Sequence, residues 1–204
     1  MNLVYTAIYG GYDKLWQPQK ISEGWEYKCY TDVKIEGGHW QIIGKKLPDV
    51  DSARASKYVK ILHPMENYEN ILWVDGCIEI MGDLNEFIKG VPSGDIVVGK
   101  HPINSNIQQE LKACIAMNKD DHKIMTSQVE GYKNLKDHIF PQNTIILRRK
   151  NLKASEIWWE EVRTKSKRDQ LSFGWAMQQA NQEYSTYPWT YAEKFFTWHK
   201  FHDK

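Results

Sequence analysis

The apolar positions of this chain fall into two rhythms. Leu3-Val4-Tyr5-Thr6-Ala7-Ile8, Ile71-Leu72-Trp73-Val74, Ile96-Val97-Val98 and Thr144-Ile145-Ile146-Leu147 are short, nearly unbroken apolar runs. An unalternating run of that length reads as a strand covered on both faces, the habit of central parallel strands. Residues 25–30 and 39–43 add two more strands. Between the runs the spacing turns helical. Asp51-Ser52 caps a helix to about residue 63, which Pro64 stops. Further helices are predicted over 83–89, 105–117, 121–135, 152–165 and from Ser166 to about residue 181. Strands alternating with helices predict one α/β domain spanning 1–204, a mixed but mostly parallel sheet flanked by helices. Residues 183–204 read as an aromatic-rich tail.

Several of the strands end on polar groups, and open α/β sheets place their ligands at the carboxyl ends of strands. The clearest case is Ile71-Leu72-Trp73-Val74-Asp75-Gly76. Asp75 is either a site carboxylate or the corner of a tight hairpin, since Asp-Gly between β-prone runs is also a strong hairpin signal. The first strand breaks into Tyr9-Gly10-Gly11-Tyr12-Asp13, where glycines let backbone amides approach a ligand or simply make a turn. The second ends at Thr31-Asp32, and the run at 95–98 leads into Lys100-His101-Pro102. Arg54, Lys57 and Lys60 recur at helical spacing just before the Asp75 strand, and Arg54 with Lys57 reads either as a pair of anion contacts or as a solvated face.

Composition narrows the classes. The formal charge of +1 gives no overall pull toward nucleic acid or an acidic membrane. Nine Trp and eleven Tyr exceed what a core needs and suit a surface that stacks sugars or bases. Three cysteines, odd in number and without metal-ligand spacing, point to a reduced, cytoplasmic chain of a bacterium or a virus-infected cell. No apolar run approaches the ~18 residues of a membrane helix.

The order VYTAIYGGYD, CYTD, an ARxxKY helix, ILWVDG, KHP, WWEE and SKRDQLSF resembles the glycosyltransferase-like domain shared by plant Golgi proteins and bacterial and viral proteins. The resemblance runs over residues 3–180 and implies a GT-A (nucleotide-sugar) fold. The implied activity is transfer of a sugar from a nucleotide-sugar donor to an acceptor hydroxyl, assisted by Mn2+ or Mg2+. Two departures stand out: Cys77 follows Asp75-Gly76 where a small polar residue is usual, and Ile103-Asn104 follows Lys-His-Pro where an arginine is common.

Under that resemblance Asp75 is the expected metal ligand. There is no second Asp at Asp-x-Asp spacing, and Glu79 lies about 13 Å along an extended strand. His199 and His202, three apart, would complete the metal site if a helical turn brought them together; the alternative is a solvated tail. Asp169 is expected as general base, against a local reading in which Ser166 and Asp169 form a capping box. Thr6, Tyr9, Gly10, Tyr12 and Asp32 are expected to meet the nucleotide. Arg54, Lys57, Lys100 and His101 are expected at the diphosphate or donor sugar. Of Trp158 and Trp159, one should be core and the other free to line a groove. The acceptor is a glycan, a small molecule or modified DNA, the last suggested by Arg148-Arg149-Lys150 and Arg163, Lys165, Lys167 and Arg168. Rival classes are a non-catalytic nucleotide-sugar or carbohydrate-binding protein and a glycoside hydrolase; the latter lacks a singled-out carboxylate pair.

Overall fold

A computed structural model describes residues 1–47, 49–64, 67–136 and 139–199. The predicted strands and helices form, with ends shifted by one to four residues. The strands are β1 (Asn2–Ile8), β2 (Trp25–Thr31), β3 (Gln41–Gly44), β4 (Asn70–Val74), β5 (Ile78–Ile80), β6 (Ile96–Lys100), β7 (Pro141–Arg148), β8 (Ser185–Tyr187) and β9 (Phe196–Trp198). The helices are α1 (Ser52–Leu62), α2 (Leu84–Gly90), α3 (Ile107–Ala116), α4 (His122–Gly131), α5 (Ser155–Thr164), α6 (Asp169–Gln179) and the short α7 (Trp189–Ala192). Asp51, Asp83, Asn106 and Asp121 each cap a helix by accepting a backbone N–H, which satisfies donors the first turn leaves free.

Seven strands make one sheet in the order β3-β2-β1-β4-β7-β6-β8. Every neighbouring pair is parallel except those involving β7, which runs against both β4 and β6. The unbroken apolar runs are central strands, as their pattern requires: Leu3, Val4, Ile71, Leu72, Ile96, Val97, Ile145 and Leu147 are fully buried. One face packs Tyr5, Trp73, Val98 and Ile146 under α1, α5 and α6; the other packs Val4, Leu72, Val74 and Leu147 with Phe87, Tyr187 and Phe196. A satellite cluster joins α3 and α4 to Leu171 of α6.

Three expectations are corrected. The stretch after Asp75 is no β4 hairpin: Ile78 N–H closes a turn on the Asp75 carbonyl at 2.9 Å, and β5 pairs with β9, not with β4. The described part of the tail, 183–199, is integral to the fold, since β8 edges the main sheet and β9 completes a two-stranded ribbon. Both Trp158 and Trp159 are buried, one over the sheet with its indole N–H donated to the Asp169 carbonyl and the other against Tyr58. Among the described residues no helix is long and apolar enough to cross a membrane.

Candidate active site

β1, β2, β4 and β6 all point their carboxyl ends at one edge of the sheet. Because β7 is reversed, its first residues lie at that same edge: the Asp75 N–H donates to the Thr144 carbonyl at 2.8 Å. Between Val98 and Gly99 the β6–β7 register jumps from Ile146 to Gln142, so residues 143–145 bulge there. Bulges of this kind re-aim side chains beside active sites.

The chemical centre is an ion cluster built by α1, β4 and α6. Lys60 Nζ lies 3.2 Å from Asp75 Oδ1 and 2.7 Å from Asp169 Oδ2, and its side chain is only 1% exposed. Lys57, one turn earlier on α1, reaches Asp169 Oδ1 at 3.3 Å. The Trp73 indole N–H donates to Asp75 Oδ1 at 2.7 Å. Asp75 Oδ2 has no hydrogen-bond partner among the described residues, and the side chain is 22% exposed, so this oxygen is the one open to a ligand. Burial alone would raise the Asp169 carboxyl, but Lys57 and Lys60 outweigh it and hold it far below the ordinary carboxylate range. Burial likewise opposes the charge on Lys57, and Asp169 and Asp75 restore it, leaving its ammonium above the usual value.

What aims Asp169 at the lysines is the turn before it. Ser166 Oγ donates to Asp120 Oδ2 at 2.7 Å, the Lys167 N–H donates to the same oxygen at 2.8 Å, and the Arg168 N–H donates to Ser166 Oγ at 3.1 Å. The capping box, the rival reading of Ser166 and Asp169, does not form. Arg168 occupies the cap position with no side-chain bond to the helix, so Asp169 is free to face α1.

The other expected residues divide. Gly10 and Gly11 have left-handed φ of 64° and 61°, and the Gly10 N–H donates to Asp32 Oδ1 at 2.8 Å, so Asp32 braces this turn from the next strand end. Tyr12 is exposed beside it; partial burial and Asp13 raise its hydroxyl while Arg168 lowers it, which locates the ring at the mouth of the cluster. Thr6 and Tyr9 are buried, and neither hydroxyl has a partner among the described residues. Burial, then Asp32, pushes the Tyr9 phenol up to about 12. Arg54 faces away from the cluster: its guanidinium donates to the Val162 and Lys165 carbonyls at the end of α5 and to Asp51. Lys100 is exposed at the end of β6. His101 Nδ1 accepts from the Ile103 and Asn104 N–H groups, and burial lowers its imidazole; it folds its own loop.

His199 also differs from expectation. It follows a strand rather than sitting on a helical turn, and its imidazole bonds Glu79 Oε2 at 2.8 Å while stacking on Trp16 at 3.5 Å. His202 lies outside the described residues. Cys77 is partly buried, and desolvation pushes its thiol up to about 12, with Asp75 and Asp13 adding to the effect, so it is held as the thiol. Among the described residues no three His, Cys, Asp or Glu side chains converge where an ion could sit. Asp75 offers one open oxygen, with the ammonium of Lys60 already against the other. This donor set does not fit a dedicated divalent site.

Sequence reasoning missed four groups. Lys60 stood out only by its three-residue spacing from Lys57. Asn143 is buried with both amide atoms unpartnered among the described residues, and Thr144 Oγ1 and Gln170 Nε2 are likewise unpaired. Buried polar groups are normally satisfied, so these atoms are exceptions within the fold. No sequence signal singles out Asn143; its lack of ladder partners goes with the register shift beside it. Of the basic clusters, Arg148 and Arg149 brace the fold, whereas Lys150, Arg163 and Lys165 form ion pairs at the surface. Arg148 bonds the Tyr5 hydroxyl, Arg149 the Pro92 and Gly94 carbonyls, Lys150 pairs with Asp95, Arg163 with Glu160 and Lys165 with Glu161.

A mixed sheet with one reversed strand and charged groups gathered at its carboxyl edge defines a GT-A-type α/β domain. The chain belongs to the TOD1/MUCI70 glycosyltransferase-like domain family, whose profile matches residues 26–196. Among solved structures it is similar to the glycosyltransferase GlyE of Streptococcus pneumoniae TIGR4, at 9% identity and TM-score 0.48. That alignment covers 91% of this chain and 44% of GlyE, so the chain spans under half of that protein's length. It is also similar to the galactosyltransferase LgtC solved with donor and acceptor sugar analogs, at 10% identity and TM-score 0.45, covering 86% and 70% of the two chains. Mouse xyloside xylosyltransferase 1 aligns at 9% identity and TM-score 0.35, covering 89% and 76%. No curated protein matches the sequence.

Proposed function

We propose that the protein transfers a sugar from a nucleotide-sugar donor to an acceptor hydroxyl, with the ion cluster of Lys57, Lys60, Asp75 and Asp169 as its donor site. The observation that carries this reading is Asp75 itself, a strand-end carboxylate with one oxygen held by Trp73 and Lys60 and the other open. In the reaction the acceptor oxygen bonds to the anomeric carbon, the bond from that carbon to the diphosphate breaks, and the diphosphate takes the electron pair. The acceptor proton must pass to a base.

Asp169, expected as that base, suits the task poorly. Two ammonium groups hold it ionised far below neutral pH, and an efficient general base titrates near the working pH. Its role in this reading is to position Lys57 and Lys60. Asp75, open on one side, is the carboxylate that meets the ligand. Charge growing on the leaving diphosphate is met by Lys57, the more exposed of the two lysines, with Arg168 beside it. Mn2+ or Mg2+ was expected on the resemblance; because the donor set does not fit, no step is routed through an ion. The Gly10-Gly11 turn with Tyr12 and Asp32 is the proposed nucleotide side, and the unpaired amides of Asn143 and Gln170 are suited to sugar hydroxyls, which both donate and accept.

The formal charge of only +1 favours a glycan or small-molecule acceptor over DNA. The test is release of nucleoside diphosphate from a panel of nucleotide sugars, with and without Mn2+, alongside thermal shifts with the same ligands. Turnover by the wild type that disappears in Asp75→Ala is the expected result. Stabilisation by a nucleotide sugar without turnover under any condition would instead make this a binding protein.

A further inference from the structure

Trp198 is out of keeping with its own strand. It pairs with Ile78 in the β5–β9 ribbon, and directly paired residues share a face. Ile78, Ile80 and Phe196 on that face are buried at 5% exposure or less, yet Trp198 is 49% exposed. The ribbon therefore turns one large ring inward at its open end without covering it among the described residues.

Its place is next to the donor site. The following N–H, of His199, donates to the Cys77 carbonyl at 2.9 Å, two residues beyond Asp75, and the Trp198 side chain contacts the Cys77 sulfur as a donor. The segment is held firmly, because His199 stacks on Trp16 and bonds Glu79, whose other oxygen accepts from Gln19. A fixed ring with one open side gives a flat apolar platform at little entropic cost on binding. The charges around it are mixed, with Asp75 and Asp13 opposed by Lys57 at Cys77, Lys14 over Trp16 and Glu79 under His199, so none selects an ionic ligand. The apolar face of an uncharged sugar ring stacks on indole and leaves its hydroxyls for the surrounding polar groups.

We propose that the open face of Trp198 is an acceptor subsite for a neutral carbohydrate. This rests on the donor-site reading above, and the experiment separates the two. Wild type, Trp198→Phe and Trp198→Ala are titrated by calorimetry with neutral oligosaccharides of gluco, galacto, manno and xylo configuration, with melting temperatures confirming that each variant folds. At least one oligosaccharide should bind the wild type, about tenfold weaker to Trp198→Ala and less weakened in Trp198→Phe. A single-stranded oligonucleotide at low salt should bind more weakly than the saccharide. The proposal is overturned if no oligosaccharide binds the wild type, if Trp198→Ala binds it equally well, or if the oligonucleotide binds more tightly. Thermal shifts of the wild type with nucleotide sugars report the donor site independently, so either reading can fail alone.

Discussion

Lys60 places its ammonium 2.7 Å from the Asp169 carboxylate, and both side chains are all but closed to water. The two residues come from opposite ends of the chain, α1 and α6, and their pairing ties the first half of the sheet to the last long helix. A buried pair is costly to break from one side, because the remaining charge is stranded. Asp169→Asn and Lys60→Met should each lose about 3–5 kcal/mol of stability in urea unfolding, and the double variant should lose less than the two together. Additive losses would mean the two groups do not stabilise each other.

Lys57 sits in the same cluster but keeps 17% of its side chain exposed and has its carboxylate partner at the longer 3.3 Å. It can turn toward a ligand where Lys60 cannot. Lys57→Gln is therefore expected to cost about 1 kcal/mol of stability or less while weakening nucleoside diphosphate binding about tenfold. Calorimetry with the nucleoside diphosphate alone checks this. Unchanged affinity would remove Lys57 from the donor site.

The two glycines of the first turn make a contrast. Both have φ near +60°, where a side chain costs about 1–2 kcal/mol. A Cβ on Gly10 would meet Ser52 Oγ at 2.5 Å, while one on Gly11 meets open space. Gly11→Ala should lose only the conformational amount, and Gly10→Ala should lose more and loosen the bond to Asp32. Paired thermal melts decide it, and equal losses would show that Ser52 simply gives way.

Acid stability should show two separate limbs. His63 stacks near Tyr5 and accepts from the Tyr30 hydroxyl, and burial lowers its imidazole to about 4. In the unfolded chain it titrates near 6.5. As pH falls from about 6.5 to 4 the unfolded chain takes a proton that the fold refuses, so stability drops by up to about 3 kcal/mol. Asp169 acts lower: its carboxyl is depressed in the fold, so its contribution is present above about 3.9 and is lost only as pH falls further. His63→Gln should flatten the upper limb and leave the lower. Urea midpoints between pH 3 and 7 would reveal a single limb if this assignment is wrong.

Much of the fold could be read in the sequence because central parallel strands leave a strong trace. The run Ile71 to Val74 has no polar position at all, and its burial on both faces is the physical cause. The cap at Asp51 was equally plain, since it acts within three residues of itself. The site was legible only where its chemistry is local. Asp75 and the Gly10-Gly11 turn announce themselves by type and place. Lys60 does not, because whether a helical lysine is solvated or buried depends on what packs over it, here an α6 carboxylate some hundred residues away. Asn143 owes its standing to a register break invisible in its neighbours. Arg54 misled for the same reason: its donors fit a diphosphate well, and equally well the free carbonyls at the end of α5.

The β5–β9 ribbon carries a last consequence. Its three residue pairs join segments some 120 positions apart, and they lie outside the seven-stranded sheet. So short a ribbon is marginal by itself, and the loop it closes is among the longest in the molecule. Ile78, Ile80 and Phe196, packed into the main core, are therefore what hold it, and the His199 amide should exchange only as that core opens. The rim of the site is thus only as stable as the core face beneath the sheet that anchors it.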